Sequence, residues 1–518
     1  MRFAILAAVL FTALGILFVP RAGLQDDEIV FASPLYRTWE PAYSVRIAGR
    51  QVPLMILSYA GTLKTALYWP VLHFARPTKL SARMPMVLVG ALTVLIFYAW
   101  AQTIAGTAAA LVGSFLLATD PIFLLTDTFD WGPVAIEHLL VVSACWVITR
   151  GRLLLAGFLF GLALWNKASF VWTLTGLAAG ATVAYWPQVR AVILKQRRTL
   201  VLGGCSLLAG ALPLLVYNVT RSNATLGSKA HLSLQNAPLK FIELERALDG
   251  SGLFGYLVRE DWAPRPKAAT SSAGQFAIWV RKHAGKHQTS LFPYILLACL
   301  LAVPLWWRSR GHRAAILALV CSAATFLAML VTRDAGVAIH HTVLLWPMPQ
   351  LFAGVAIGSV RRRWLLIPCV AAAAIFNLLV VNQYYSQFVT DGAGIGFSDA
   401  ADTLSSTLTD FSQNRIYGVD WGIENGVEFL TRGRLQIHAQ DFSLISPDSS
   451  ETDRNRISEA LGDPRSVFVD RVSGQEFFSG AGEHLLQIAQ TEGYSKETLR
   501  TVPDSNGRTI FEVFRFRR

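Results

Sequence analysis

Long apolar runs separated by short polar breaks fill the first three quarters of the chain. Runs of spanning length fall near residues 3–20, 84–104, 107–125, 132–149, 153–168, 170–187, 199–217, 291–307, 314–331, 341–359 and 364–382. Each predicts one helix across a bilayer, whose hydrocarbon core takes ~20 apolar residues to cover. The first run, over residues 1–20, reads as a retained helix rather than a cleaved leader, because a clean small-x-small cleavage site is missing and further spans follow. Past about residue 385 the pattern changes to short β-rich runs at 415–419, 466–469 and 509–514, alternating with helical stretches such as 483–492. That predicts a small α/β domain over 385–518, large enough to fold alone, after a helical domain over 1–384. Two polar regions interrupt the helical part, residues 21–83 and 218–290, the second with an amphipathic helix near 239–248.

Composition places the same pattern in the membrane class. The chain has 518 residues, of which 53% are hydrophobic and 15% charged; soluble domains carry about 25% charged residues. The net charge of +12 is not a nucleic-acid footprint, because the basic residues sit in short clusters between spans: Arg150 and Arg152; Arg190, Lys195, Arg197 and Arg198; Arg308, Arg310 and Arg313; Arg361, Arg362 and Arg363. No Asp or Glu accompanies them. With one crossing per run, all four clusters share the side of Arg2, which the positive-inside rule makes cytoplasmic. The five cysteines all lie in apolar spans without metal-ligand spacing, so they read as small core hydrophobes.

Residues 52–75 are also apolar enough to cross, but counting them would move the four basic clusters outside. They are therefore expected to form helices lying in the outer interface or partly re-entrant. The fold class that results is a polytopic α-helical membrane protein of about eleven transmembrane helices with a C-terminal soluble α/β domain.

The acids follow the same geometry. Before Glu243 they are Asp26, Asp27, Glu28, Glu40, Asp120, Asp127, Asp130 and Glu137, and on this topology every one lies at or near the outer surface. Ionisable groups at membrane depth are costly and mark functional sites, so two acidic clusters on one face, Asp26-Asp27-Glu28 and Asp120/Asp127/Asp130, point to a shared pocket. The plainer reading for a single acid is helix capping, which Asp120 before Pro121 suits. Lys64, Lys167 and Arg333 adjoin apolar segments at the same boundary and suit a phosphate at headgroup depth. His340 and His341 at the mouth of the tenth span are either metal or phosphate ligands or a polar helix end.

An N-terminal helix ending in an outer Asp-Glu motif, with a second acidic motif between the third and fourth spans, resembles the GT-C glycosyltransferases. It is most like the protein O-mannosyltransferases of glycosyltransferase family 39 and the bacterial lipid A aminoarabinose transferases. Asp27-Glu28-Ile29-Val30-Phe31 fits their D-E-x-x-(F/Y) motif, and Asp127 with Asp130 stands where the second motif lies. The likeness covers about the first 190 residues; the later helices and the tail match in layout. Asp26 precedes the motif, so the register of the key carboxylate is open between Asp26 and Asp27.

The resemblance implies an enzyme of the bacterial inner membrane that transfers a sugar from a polyprenyl-phosphate donor to an extracytoplasmic lipid, protein or glycan acceptor, with inversion. A lipid phosphate leaves without a proton, so one carboxylate base suffices: Asp27 first, supported by Asp130, with Asp26 as the alternative. Glu28, Lys64, Asp127, Lys167, Arg333 and His340 are the expected substrate contacts, and a divalent metal on Glu28 with His341 is a further option for neutralising the phosphate. Two other membrane classes stay open at this stage. A transporter or flippase of lipid-linked saccharides would show mid-helix polar groups and repeated helix blocks, and a GT-C oligosaccharide ligase or polymerase would differ in its donor.

Overall fold

The computed structural model describes residues 2–36, 40–229, 231–260, 267–360, 363–439, 444 and 451–518. Arg361 and Arg362 of the last basic cluster lie outside the described residues. Helices dominate up to Thr390, and the expected order is recovered: Arg2–Phe18, Lys79–Ala105, Val134–Thr149, Leu153–Asn166, Phe170–Ala184 and His312–Val331 each fall on an apolar run. Lys79–Ala105 and His312–Val331 are by themselves long and apolar enough to cross a membrane. Two more runs do so only as bent pairs, Thr107–Thr119 with Pro121–Phe129 at 58° and Arg197–Gly210 with Leu212–Thr220 at 65°. The bends have local causes: Pro121 and Pro213 open the second helix of each pair, where a missing N–H and the proline ring end the preceding helix. The run expected over 341–359 is likewise no single helix, because Ile339–Thr342, the 3-10 turn Val343–Leu345 and Met348–Gly358 meet at Pro347.

Three helix pairs approach backbone to backbone along a small-xxx-small seam. A Cβ on Gly157 or Gly161 would sit 2.3 or 2.1 Å from the carbonyl oxygens of Gly203 and Leu207. Gly176 and Gly180 do the same against Cys321 and Leu317, and Gly354 and Gly358 against the Ala109 backbone. Where water gives no hydrophobic drive between helices, close van der Waals packing of this kind holds them together.

Residues 52–75 correct the expectation of interfacial helices. Tyr43–Ile47 (β1), Arg50–Leu57 (β2) and Ala60–Gly61 (β3) form an antiparallel three-stranded sheet. Its hairpin turns at Ala48 and Gly49, both with positive φ (48° and 80°), the two-residue turn that matches strand twist. Pro53, which would break a helix interior, together with the β-branched Val52 and Ile56, favours strand over helix. Only Leu63–Phe74 is helical, and its 12 residues span about 18 Å, short of a crossing.

The tail follows the long helix Arg363–Thr390, which runs six residues past the expected boundary at 384. It is a five-stranded sheet of order β5-β4-β6-β8-β7, from Arg415–Gly418 (β4), Ile437–Ala439 (β5), Ser466–Arg471 (β6), Ser495–Pro503 (β7) and Thr509–Arg517 (β8). β4, β5 and β6 are parallel and β8 is antiparallel to its neighbours. The Ala400–Thr409 helix packs one face of the sheet through Leu404 and Leu408, and Ala481–Thr491 packs the other through Leu485 and Ala489.

Candidate active site

The first acidic motif folds as a single turn, Asp26–Ile29, whose backbone is closed by a capping box between Gln25 and Glu28. Its three acids point three ways. Asp26 accepts from the backbone N and the Nδ2 of Asn425, at 3.2 and 2.9 Å, and so ties the turn to the tail. Glu28 is buried against Arg83, whose Nε and Nη2 donate to its two oxygens at 2.6 and 2.8 Å. The same guanidinium donates to the carbonyls of Val19, Ala22 and Gly23 and lies 4.5 Å over the Phe129 ring. Asp27 takes part in no ion pair among the described residues and keeps partial exposure. Burial raises its pKa from the usual 3.8 to about 6, and Gln25, Lys167 and Lys64, in that order, pull it part of the way back.

The second motif sits on the broken third span. Asp120 caps the Pro121–Phe129 helix at Phe123 N (2.9 Å), as the Asp-Pro pair suggests, and also accepts from Trp346 and Gln350 at 2.9 and 2.8 Å. Asp127 pairs with His138 at 2.9 Å, and His138 reaches the Val343 carbonyl with its other nitrogen. Asp130 ends the helix in the left-handed region (φ 43°) and turns its carboxylate to Lys64 at 2.9 Å and to the Ala135 N–H at 3.0 Å. Lys64 completes that contact on the Asp130 carbonyl at 2.6 Å and lies 5.1 Å over the Phe31 ring.

Lys167 is the other cation of the cluster. It follows the Leu153–Asn166 helix and is fixed by a bridge to Ala60 in β3. The residue is 2% exposed, and its ammonium finds no hydrogen-bond partner among the described residues. A Cβ on Gly132 would lie 3.2 Å from both this ammonium and the His340 ring, so the glycine leaves the space they share. His340 accepts from Trp131 Nε1 at 3.2 Å. Lys167 and Lys64 both act on Asp27, while Asp130 and Glu137 act on Lys167. Carboxylates from the two distant motifs therefore meet around two lysines. Tyr59 and Tyr256 border Asp27, and burial raises both phenols, Tyr59 to about 12, with the Asp27 charge adding to it.

Several expected contacts change role. Glu28 has both oxygens on Arg83, and no group of three His, Cys, Asp or Glu side chains gathers among the described residues. Glu28 is therefore not free to share a metal with His341. Lys64 is already neutralised by Asp130, whereas the Lys167 ammonium has no hydrogen-bond partner among the described residues. Arg333 is exposed beside Asp334, outside the buried cluster. Nothing local in the sequence marks Arg83, Glu137 and Tyr256 as members of this cluster, because only the fold buries Arg83 and Glu137 and sets the Tyr256 phenol beside Asp27. A groove of about 710 Å³ runs between the Leu63–Phe74 helix and the start of Lys79–Ala105, lined by Leu67, Val71, Met84, Leu88, Leu92 and Arg76. A larger cavity of about 950 Å³, over β1 and β2, is lined by none of the clustered acids.

No family profile and no curated protein matches the chain. Among solved structures, ArnT from Cupriavidus metallidurans bound to undecaprenyl phosphate superposes with a TM-score of 0.58 at 14% identity, covering 99% of this chain and 97% of that one. Its apo form gives 0.57 at 13% identity over 98% and 97%. The Archaeoglobus fulgidus oligosaccharyltransferase in complex with Zn and sulfate gives 0.51 at 12% identity over 90% of this chain and 68% of that one. At these identities the likeness is one of fold, and it extends to the later helices and the tail: the chain has the fold of the GT-C glycosyltransferases.

Proposed function

We propose that the chain is a multi-pass membrane glycosyltransferase that moves a sugar from a polyprenyl phosphate to an acceptor on the outer side of a bacterial inner membrane, in a helical domain over 1–384 with a tail over 385–518. The carrying observation is a process of elimination by pairing. Asp26, Glu28, Asp120, Asp127, Asp130 and Glu137 are buried on Asn425, Arg83, Trp346, His138, Lys64 and Asn166 respectively. Asp27 alone of these acids keeps partial exposure and has no cationic partner of its own, and the unpartnered Lys167 ammonium acts on it. That leaves a base beside a buried lysine with no hydrogen-bonded partner among the described residues, its charge offset only without direct contact by Glu137, Asp130 and Asp27, which suits one proton removal and one departing anion.

In the reaction, Asp27 takes the proton of the acceptor hydroxyl or amine as its O or N bonds to the anomeric carbon. The bond from that carbon to the phosphate oxygen breaks on the opposite face, so the configuration inverts. The electron pair stays on the phosphate, held by Lys167. Lys64, salt-bridged to Asp130, fixes the acidic turn rather than the phosphate. The Leu63–Phe74 helix begins beside this cluster and lines the apolar groove with Leu67 and Val71, about 5 and 10 Å beyond Lys64 by helix rise, which suits a prenyl tail continuous with its phosphate. The solved neighbours include proteins crystallised with undecaprenyl phosphate and with a dolichol phosphate and inhibitory peptide, in keeping with this reading.

The parity of the expected eleven crossings agrees with one contact. Asp26 touches Asn425, so the first loop and the tail lie on one side of the membrane and an even number of crossings separates them. The ten runs between them satisfy that; a crossing at 52–75 would make eleven. The test is transfer from a synthetic polyprenyl-phosphate sugar by purified protein. Asp27→Asn is expected to lose at least ~100-fold in kcat, and Lys167→Met to lose transfer, with both proteins inserted and folded. Full activity in Asp27→Asn removes Asp27 as the base, and absence of transfer by the wild-type protein removes the transferase reading.

A further inference from the structure

In the tail, the loops leaving β4 and β6 depart in opposite directions, since β4 connects to β5 on one side and β6 leads on towards β7 at the other edge. The carboxyl ends of two such strands form the crevice where open α/β sheets bind ligands. Asp420, just past β4 and 1% exposed, holds that crevice together. It accepts from the backbone N–H of Trp421, Phe477 and Phe478 at 2.9, 2.7 and 3.0 Å, and from Arg471 at 2.7 Å. One buried carboxylate thus clamps three aromatic residues from two loops. The Trp421 and Phe477 ring centroids are 4.4 Å apart, with Phe477 and Phe478 edge to face at 5.3 Å. All three side chains stay partly exposed.

This aromatic face abuts the acidic turn. The Asp26 Cβ lies 3.4 Å from where a Cβ on Gly422 would stand, and the Phe477 ring and the Gln25 side chain flank the same position on Gly396 at 3.5 and 3.8 Å. Gln25 in turn neighbours Asp27. Next to Gly396, Phe397 carries the row of rings on to Tyr256 and Trp131, each 5.6 Å away, and Trp131 donates to His340 beside Lys167. Two groups of rings, one in the tail crevice and one around Phe397, therefore flank Gly396 between the crevice and the acidic cluster. The Arg471 guanidinium under the platform is neutralised by Asp420, so the surface offered is a rigid aromatic one rather than a charged one.

We propose that Trp421 and Phe477 form an acceptor subsite that stacks the C–H face of a sugar ring, making the acceptor of the transferase reading a saccharide-bearing molecule. A neutral, pre-formed aromatic pair beside a base takes an amphipathic ring at low entropic cost, whereas an extended peptide would need a row of backbone partners that the crevice, with its N–H groups spent on Asp420, does not offer.

The inference rests on the proposed function but is tested by binding, not turnover. The full chain in nanodiscs is examined by saturation-transfer difference NMR with mannobiose, chitobiose and maltose, and with a Ser/Thr-rich peptide as the contrasting probe. At least one disaccharide is expected to bind wild type and Asp27→Asn alike. Trp421→Ala and, independently, Phe477→Ala are expected to weaken it roughly tenfold, the scale of a lost aromatic contact, and Trp421→Tyr to retain it. Equal binding in wild type and both alanine variants overturns the subsite, as does a signal that tracks these rings for the peptide instead. An active Asp27→Asn with the ring-dependent saccharide signal intact would sink the base assignment and leave the subsite standing.

Discussion

At the scale of single residues, the site is defined by which charges are cancelled. Glu28 with Arg83 and Asp130 with Lys64 are dry pairs at 2.6 and 2.9 Å, and breaking one by removing a partner typically costs 3–5 kcal/mol because the other charge is left buried alone. Such pairs hold shape. Asp27 is left to titrate, and its pKa near 6 makes a signed prediction. With the Asp27 carboxylate as the proposed base, kcat/KM should fall about tenfold per pH unit below ~6 and level off above it; a flat profile between about pH 5 and 8 contradicts the assignment. The linkage runs the opposite way for stability. A carboxyl whose folded pKa is raised favours the fold at low pH, and that contribution fades as pH rises through 6. Asp27→Asn should then melt no lower than wild type at about pH 8, even as transfer is lost.

At the scale of elements, proline and glycine shape the membrane part more than hydropathy does. The broken third span positions Asp127 against His138 and Asp130 against Lys64: Pro121 starts the second half, and Asp120 caps it while accepting from Trp346 and Gln350. Asp120→Ala loses the cap and leaves two buried donors unmatched. It should destabilise the protein by about 1–3 kcal/mol and lower transfer by displacing Asp130, whereas Asp120→Asn, which keeps an acceptor oxygen, should lose less. Thermal unfolding in detergent with a transfer assay measures both, and a wild-type melting point for Asp120→Ala would refute the role. The apolar run at 52–75 misled because strand and interfacial helix share composition; Pro53 and the Ala48-Gly49 turn were the local signals for a hairpin.

For the molecule as a whole, the tail is docked on the chemistry. Asp26 is bound by Asn425, and the Gly23 N–H donates to the Phe397 carbonyl at 2.7 Å. Asn425→Asp sets a carboxylate against Asp26 and should open this junction. Hydrogen exchange is expected to rise around residues 23–29 and 420–426, with transfer reduced and insertion unchanged. Unaltered exchange there would mean that the tail is held elsewhere. The contact also links topology to chemistry, because it is possible only when the first loop and the tail share a side.

The sequence alone determined the membrane class, the order of the helices, the α/β tail and the two acidic stretches, because apolar runs, charge placement and strand-length alternation are local properties. The break at Asp120-Pro121 was legible in the same way, as a cap. Pairing was not. Whether Lys64 meets a phosphate or Asp130, whether Glu28 is free or held by Arg83, and which of Asp26 and Asp27 faces the pocket depend on contacts between residues tens to hundreds of positions apart. Those contacts set burial, and burial decides whether a charge is structural or reactive, since a desolvated charge needs a partner from somewhere in the fold and only an unpartnered one is left for substrate.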